Sequence, residues 1–339
     1  MNTPAPGPTP APGPGPGPDA GLIARAVEIL RTDGLVAFPT ETVYGLGALA
    51  RSAPAVRRLF AVKGRPADHP VIVHLADVAA LDEWAAEVTP AAATLAAHCW
   101  PGPLTVVVRR ARHVPDEVTG GLDTVGLRVP DQPVALALLR ALDDGIAAPS
   151  ANRFGRVSPT TAADVVADLG DAVDLVLDGG SCRVGVESTI VDCSGDAPAV
   201  LRLGGVPRER VEELLGRAVP VRLGAVGTVR APGTLVSHYA PSAQVLLVDR
   251  ESVVDVARDA VRSGLRVGVL GEKLPDDLPA EVTVLARPAD DEQFARGLYH
   301  DLRRADALDL DTVLAVVPEE VGIGAAVADR LRRAAGQGT

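Results

Sequence analysis

Apolar and polar positions fall into a regular pattern only from Asp19 onward. Residues 2–18 are almost entirely Pro, Gly, Ala and Thr, bury too little to offset their ordering entropy, and predict a disordered tail over 1–18. Asp19 is placed to cap a helix that runs through Leu22–Gly34 and stops at the glycine. Short apolar runs follow at 35–38, 71–75, 104–108, 124–129, 145–148, 173–177, 188–192 and 199–203, and each predicts a strand. Helical patterns lie between many of them, near 54–61, 90–99, 131–143, 161–169 and 207–216. Strands interleaved with helices predict an α/β sheet.

The pattern breaks over 217–243, a stretch rich in Gly, Pro and Val without helical period, which predicts a linker. It is too long for a plain connector and too apolar for a free tether, and lid-like cover of the first domain's cleft is the expectation. A second regular block occupies 244–339, with strands at 245–249, 267–270, 282–285 and 312–317 and helices near 251–263, 290–305 and 325–335. That alternation predicts a small open parallel sheet. No GxGxxG follows its first strand, so no dinucleotide fingerprint is present.

Composition narrows the class. The 339 residues fit about two domains, and a 47% hydrophobic, 23% charged make-up describes a globular protein with a sizeable core. The net charge of −11 argues against a general polyanion binder, although a local basic groove is compatible with it. Lys occurs only at 63 and 273, so Arg carries nearly all positive charge. Cys99, Cys182 and Cys193 are few, odd in number and lack CxxC spacing, which disfavours a disulfide framework or a cysteine metal site and fits a reducing cytoplasm. No apolar run of about 18 residues predicts a membrane span, and the N-terminus lacks a signal-peptide pattern.

The polar residues that interrupt this pattern gather where strands end, which is where an α/β enzyme holds an anionic substrate. Pro39–Gly47 (PTETVYGLG) follows a buried strand, with threonine hydroxyls and glycines that permit close backbone approach to a ligand or simply close a turn. Lys63-Gly64-Arg65-Pro66 sets two cations on a turn, to be read either as a triphosphate clamp or as a solvated basic turn. Arg128 interrupts an apolar strand and therefore needs an anion, either a structural Asp or Glu or a ligand carboxylate. Ser150 and Asn152 follow a strand, Ser158 precedes a helix that it would cap, and His74 lies on the strand after the Lys63 turn, with His69 nearby. Neither an HExxH-type spacing nor a GxSxG elbow is present, so a protein-held zinc and a hydrolase triad are not expected.

In their order and spacing, PTETVYGLG, KGRP, GLRVP, PSAN, SPT, ESTIVD and the linker element His238-Tyr239-Ala240-Pro241 resemble the threonylcarbamoyl-AMP synthase family, long form, from about residue 19 to the C-terminus. The resemblance implies a YrdC-like domain over 19–216, with a twisted mixed sheet and flanking helices, a linker or lid over 217–243, and a smaller Rossmann-like parallel α/β domain over 244–339. It implies a nucleotidyltransferase that makes threonylcarbamoyl-AMP and pyrophosphate from L-threonine, bicarbonate and ATP. The product then goes to threonylcarbamoyl transferase proteins that modify tRNA in the cytoplasm.

Carried onto this sequence, the resemblance surrounds L-threonine with Thr40, His74, Thr124, Arg128 and Ser188. It places ATP against Lys63, Arg65, His69, Ser150, Asn152, Ser158 and Arg202, with Tyr239 folding back over the nucleotide. Lys63 and Arg65 are the implied catalytic cations. Mg²⁺ would be carried by ATP without a dedicated protein site. The competing reading is a YrdC-like module that binds tRNA or double-stranded RNA without synthesis. A hydrogenase-maturation relative would need cysteine pairs this chain lacks.

Overall fold

The structure is a computed structural model that describes residues 17–223 and 240–337. Most of the tail, the 224–239 part of the linker and with it Tyr239 lie outside the described residues. Helix α1 (Ala20–Arg31) begins as expected, with the Asp19 side chain accepting from the amide of Leu22. Strands β1 (Val36–Phe38) and β2 (Gly45–Leu49) then pair antiparallel. The sequence pattern predicts no strand over 45–47. They form a strand because glycine lets it close on its neighbours: a Cβ on Gly47 would lie 2.9 Å from the Phe38 ring and 2.8 Å from Ile146. Helix α2 (Ala53–Lys63) ends on Gly64 at φ 64, so the KGRP turn is a helix C-cap and Lys63 the last helical residue.

The first domain continues with β3 (Ile72–His74), α3 (Leu81–Trp84), β4 (Ala85–Glu87), α4 (Pro90–Cys99), β5 (Leu104–Arg110), α5 (Asp116–Thr119), β6 (Thr124–Arg128), α6 (Pro133–Leu142) and β7 (Ile146–Ala147). It then runs through α7 (Ala162–Leu169), β8 (Leu175–Val176), β9 (Thr189–Asp192), β10 (Ala199–Arg202) and α8 (Arg208–Leu215). The strands form one mixed sheet in the order β10-β9-β5-β6-β3-β7-β2-β1-β8, with β4 added on β5. Helix α7 is capped by Thr161 in a capping box with Asp164, not by Ser158.

The start of the linker departs from the lid expectation. Val221 bridges Val200 of β10 in parallel, the amide of Val200 donates to Pro220, and Val219 is buried in the first domain's core. Residues 219–222 therefore extend the edge of the sheet and do not lie over a cleft.

The second domain comprises β11 (Gln244–Val248), α9 (Val253–Arg262), β12 (Val267–Leu270), β13 (Thr283–Ala286), α10 (Asp291–Ala307), β14 (Thr312–Val316) and α11 (Gly324–Ala334). Its sheet is parallel in the order β11-β14-β12-β13, as the sequence pattern predicts. One apolar cluster, with Val253, Val267, Val269 and Leu314, includes α9. The other, with Phe294, Leu298, Tyr299 and Val327, also takes in Val43, Val157 and Val186 of the first domain. The two domains thus share a core.

That shared core carries a prediction. Both tryptophans of the chain, Trp84 and Trp100, are buried in the first domain. Leu298→Ala in the second domain should cost about 2–5 kcal/mol and lower the denaturant midpoint reported by tryptophan fluorescence. An unchanged fluorescence transition would mean that the domains unfold independently.

Candidate active site

Strand alternation decides which side chains meet. Val73 of β3, Val125 and Leu127 of β6, Val106 and Val108 of β5 and Val191 of β9 point into the main core of the first domain. The alternate positions, Ile72 and His74, Thr124, Gly126 and Arg128, Thr105 and Val107, and Ile190, face the other way and line two adjoining depressions. A bulge between Val200 and Arg202 sets Arg202 opposite Ile190, so this arginine joins the polar face although Val200 lies in the core.

The larger depression is an open cleft of about 540 Å³, counted out into the solvent at its mouth. Of the residues singled out in the sequence, Thr40, Arg65, His74, Arg128, Ser150, Ser188 and Arg202 line it. Thr124 lines the smaller neighbour, which shares Ile72. Lys63, His69, Asn152 and Ser158 line neither.

Arg128 has its structural anion. Its Nη2 lies 2.7 Å from Glu41 Oε1, its Nη1 donates to Thr42 Oγ1 at 2.9 Å and its Nε to the Gly102 carbonyl at 3.2 Å. The 2.7 Å contact is an ion pair without hydrogen-bond alignment, and Nη2 has no aligned acceptor among the described residues. Glu41 is held in turn by the amide of Asp131. Thr40 closes the turn around this pair, donating to the Val43 carbonyl at 2.6 Å and accepting from the amides of Thr42 and Val43.

The remaining cations are similarly placed by the backbone. Arg65 Nη2 donates to the Pro70 carbonyl at 2.8 Å, with its guanidinium over Phe60 and Phe154. Arg202 donates to the carbonyl and hydroxyl of Ser188 at 2.9 and 3.0 Å, and the Ser188 hydroxyl also meets Thr105. Lys63 is buried behind the Ser150–Asn152 loop and donates to the carbonyls of both residues. Burial, with Arg65 nearby, lowers its ammonium well below the usual lysine range. The Asn152 amide braces the loop from within by donating to the carbonyls of Arg153 and Arg156. His69 sits outside the cleft, edge-on to the Phe154 ring.

Ser158 donates to Glu187 at 2.8 Å, and Glu187 also receives the Tyr299 hydroxyl at 2.8 Å and Arg330 Nε at 2.7 Å. Burial alone would raise the Glu187 carboxyl, but the charges of Arg330 and Arg202 and the hydrogen bonds hold it at about 2. His74 is driven the other way. Burial, then the charge of Arg128, pushes its imidazole down to about 3, so it faces the cleft neutral. Three guanidiniums and the arginine-bound Glu187 carboxylate, with hydroxyls between them, therefore line one cleft, and Glu41 backs Arg128 from outside it. Such a lining matches a ligand rich in negative charge that also carries groups to be hydrogen-bonded.

A family model described as "Telomere recombination" matches residues 28–204, and one described as "Threonylcarbamoyl-AMP synthase, C-terminal domain" matches 206–336. Threonylcarbamoyl-AMP synthase of Pyrococcus abyssi is 43% identical over 320 residues, covering 92% of this chain and 93% of the relative. The Bacillus subtilis enzyme of that name is 40% identical over 322 residues and covers 93% of each. The crystal structure of P. abyssi Sua5 complexed with L-threonine superposes with a TM-score of 0.87 at 42% identity, over 93% of this chain and 94% of that one. The chain belongs to the threonylcarbamoyl-AMP synthase family.

In this member of the family the second matched region starts before the second sheet. Helix α8 and Val219 still pack into the first domain's core. Sequence reasoning missed Thr42 and Glu187 in the cleft, Thr105 in its smaller neighbour, and Glu41, Tyr299 and Arg330 behind the cleft. Glu41 and Thr42 stood inside a motif already singled out, and Thr105 alternates with core residues along β5. Tyr299 and Arg330, far along the chain, gave no local signal.

The buried neutral His74 has a consequence for stability. In the unfolded chain a histidine titrates near 6.5, above its folded value, so acid favours the unfolded state from there down to about 3. By pH 5 the wild type should lose about 2 kcal/mol on this account relative to pH 7. Urea midpoints of wild type and His74→Gln at both pH values test it, and equal acid sensitivity of the two proteins would refute it.

Proposed function

We propose that this cleft joins L-threonine, bicarbonate and ATP into threonylcarbamoyl-AMP and pyrophosphate, a nucleotidyl transfer. The observation that carries the reading is the convergence of Arg65, Arg128 and Arg202 on one cleft in a chain of net charge −11. The free amine of threonine first attacks the carbon of bicarbonate, and water is lost to give the N-carboxylated amino acid. Its carbamate oxygen attacks the α-phosphorus of ATP, the bond to the bridging oxygen breaks, and pyrophosphate leaves. Such a transfer gains chiefly from positioning and from fixed positive charge.

Arg128 takes the threonine carboxylate. Glu41 offsets its burial and orients it. Thr40, Ser188 and neutral His74 supply hydrogen-bonding groups around the side chain and amine of threonine. Arg65, Ser150 and Arg202 face the nucleotide, and Lys63 completes the phosphate site from behind the 150–152 loop. Two of its donors hold carbonyls, and an ammonium has three. Asn152 and Ser158 act through the loop they brace. Glu41 and Glu187 are each bound by an arginine. Mg²⁺ would accompany the ATP phosphates and supply charge neutralisation there. The product passes to transferase proteins that act on tRNA.

The test is pyrophosphate release by the full chain, which should require ATP, threonine and bicarbonate together. Release without threonine, or none at all, would overturn the reading. A site built to hydrogen-bond a hydroxyl rejects an analogue lacking it, so 2-aminobutyrate should have a kcat/KM lower by on the order of 10²–10⁴-fold.

Lys63 adds a second measurement. A phosphate beside a buried lysine restores its ammonium, so ATP binding in alkaline buffer below the ordinary lysine range should take up protons. Calorimetry in buffers of different ionisation enthalpy reads that uptake, and Lys63→Met should remove it. Uptake that persists in the variant would place its source elsewhere.

A further inference from the structure

The cleft belongs to the first domain except at Glu187, where the second domain reaches it from behind. Glu187 lines the cleft although it is buried. Tyr299 of α10 donates to both of its oxygens, at 2.8 and 3.0 Å, and Arg330 of α11 donates through Nε at 2.7 Å. Neither Tyr299 nor Arg330 lines the cleft, and both are fully buried.

The same arginine also grips the neighbouring strand, because its Nη2 donates to the Leu203 carbonyl at 2.9 Å. Leu203 directly follows Arg202, and Ser188 directly follows Glu187. Between these two segments Gly204 is pressed flat: a Cβ there would lie 2.3 Å from the Glu187 carbonyl oxygen. Arg202 donates to Ser188, and Ser158 donates to Glu187. One second-domain side chain thus ties together the two segments that carry Ser188 and Arg202. Asp329, paired with both Arg330 and Arg333, fixes that side chain from the far side. A buried ion pair stabilises a fold little better than packed apolar groups, but its geometry is directional.

We propose that Arg330 and Tyr299 are positioning residues of the substrate cleft, fixing Glu187 and through it Ser188 and Arg202, so that the second domain is a structural part of the site. The inference rests on the synthase reading for its substrates, threonine and ATP.

The test uses the full chain with Tyr299→Phe, Arg330→Met and Arg330→Lys. Leu314→Ala, in the α9-side core of the second domain, serves as a variant that is only destabilised. KM and kcat come from pyrophosphate release, and Kd for threonine and ATP from calorimetry. Tyr299→Phe should raise KM and Kd for at least one substrate roughly tenfold, the scale of one hydrogen bond to a charged group, with kcat nearly unchanged. Arg330→Met should do more, and Arg330→Lys should recover part of the loss. Leu314→Ala should lower the unfolding midpoint and leave KM alone.

If Tyr299→Phe and Arg330→Met behave like Leu314→Ala, the proposal is wrong. Should Arg330→Met not fold, Tyr299→Phe decides. The wild-type assay tests the synthase reading separately, and unchanged Kd values in the variants overturn the positioning role whichever way that assay falls.

Discussion

A guanidinium can be buried only against an anion or a set of oriented carbonyls, and this constraint organises the protein. Arg128 lies on Glu41, Arg330 on Glu187 and Asp329, and Arg65 and Arg202 on backbone carbonyls. Each partnership fixes a cation in place before any ligand arrives. Charges fixed in advance act on a ligand without reorganising, the condition under which electrostatic stabilisation is strongest. The acidic net charge does not oppose this, because the field at the cleft is set by the few groups that line it.

The sheet supplies the second constraint. With a side-chain period of two, one set of positions on β3, β5, β6 and β9 fills the main core and the other faces the cleft and its smaller neighbour. Gly126 keeps the polar face low, since a Cβ there would lie 3.3 Å from Thr105 and 3.5 Å from Ile72. The β10 bulge adds one residue and turns Arg202 onto that face.

The second domain is joined to the first by a shared apolar core and by a buried charge network, with a further ion pair between Arg303 and Asp168. Glu187 stands at the junction of domain packing and cleft geometry. The acidity of its carboxyl, held at about 2, depends on second-domain as well as first-domain arginines.

The sequence by itself determined the strand and helix elements with strong period, the parallel character of the second sheet and half of the residues that line the cleft. These features are local: a period of two or 3.6, a cap, or a motif at the end of a strand. It also stated the dilemma of Arg128 without resolving it, because a buried arginine announces that it needs an anion but not which one. Only the tertiary structure decided that Glu41 is that anion, that Lys63 grips the carbonyls of Ser150 and Asn152, that Ser158 serves Glu187 rather than a helix, and that 219–222 extend a sheet edge. It alone brought Tyr299 and Arg330 to Glu187, across 112 and 143 residues of chain. Such pairings depend on where distant segments are brought together by packing, and local pattern carries no record of that.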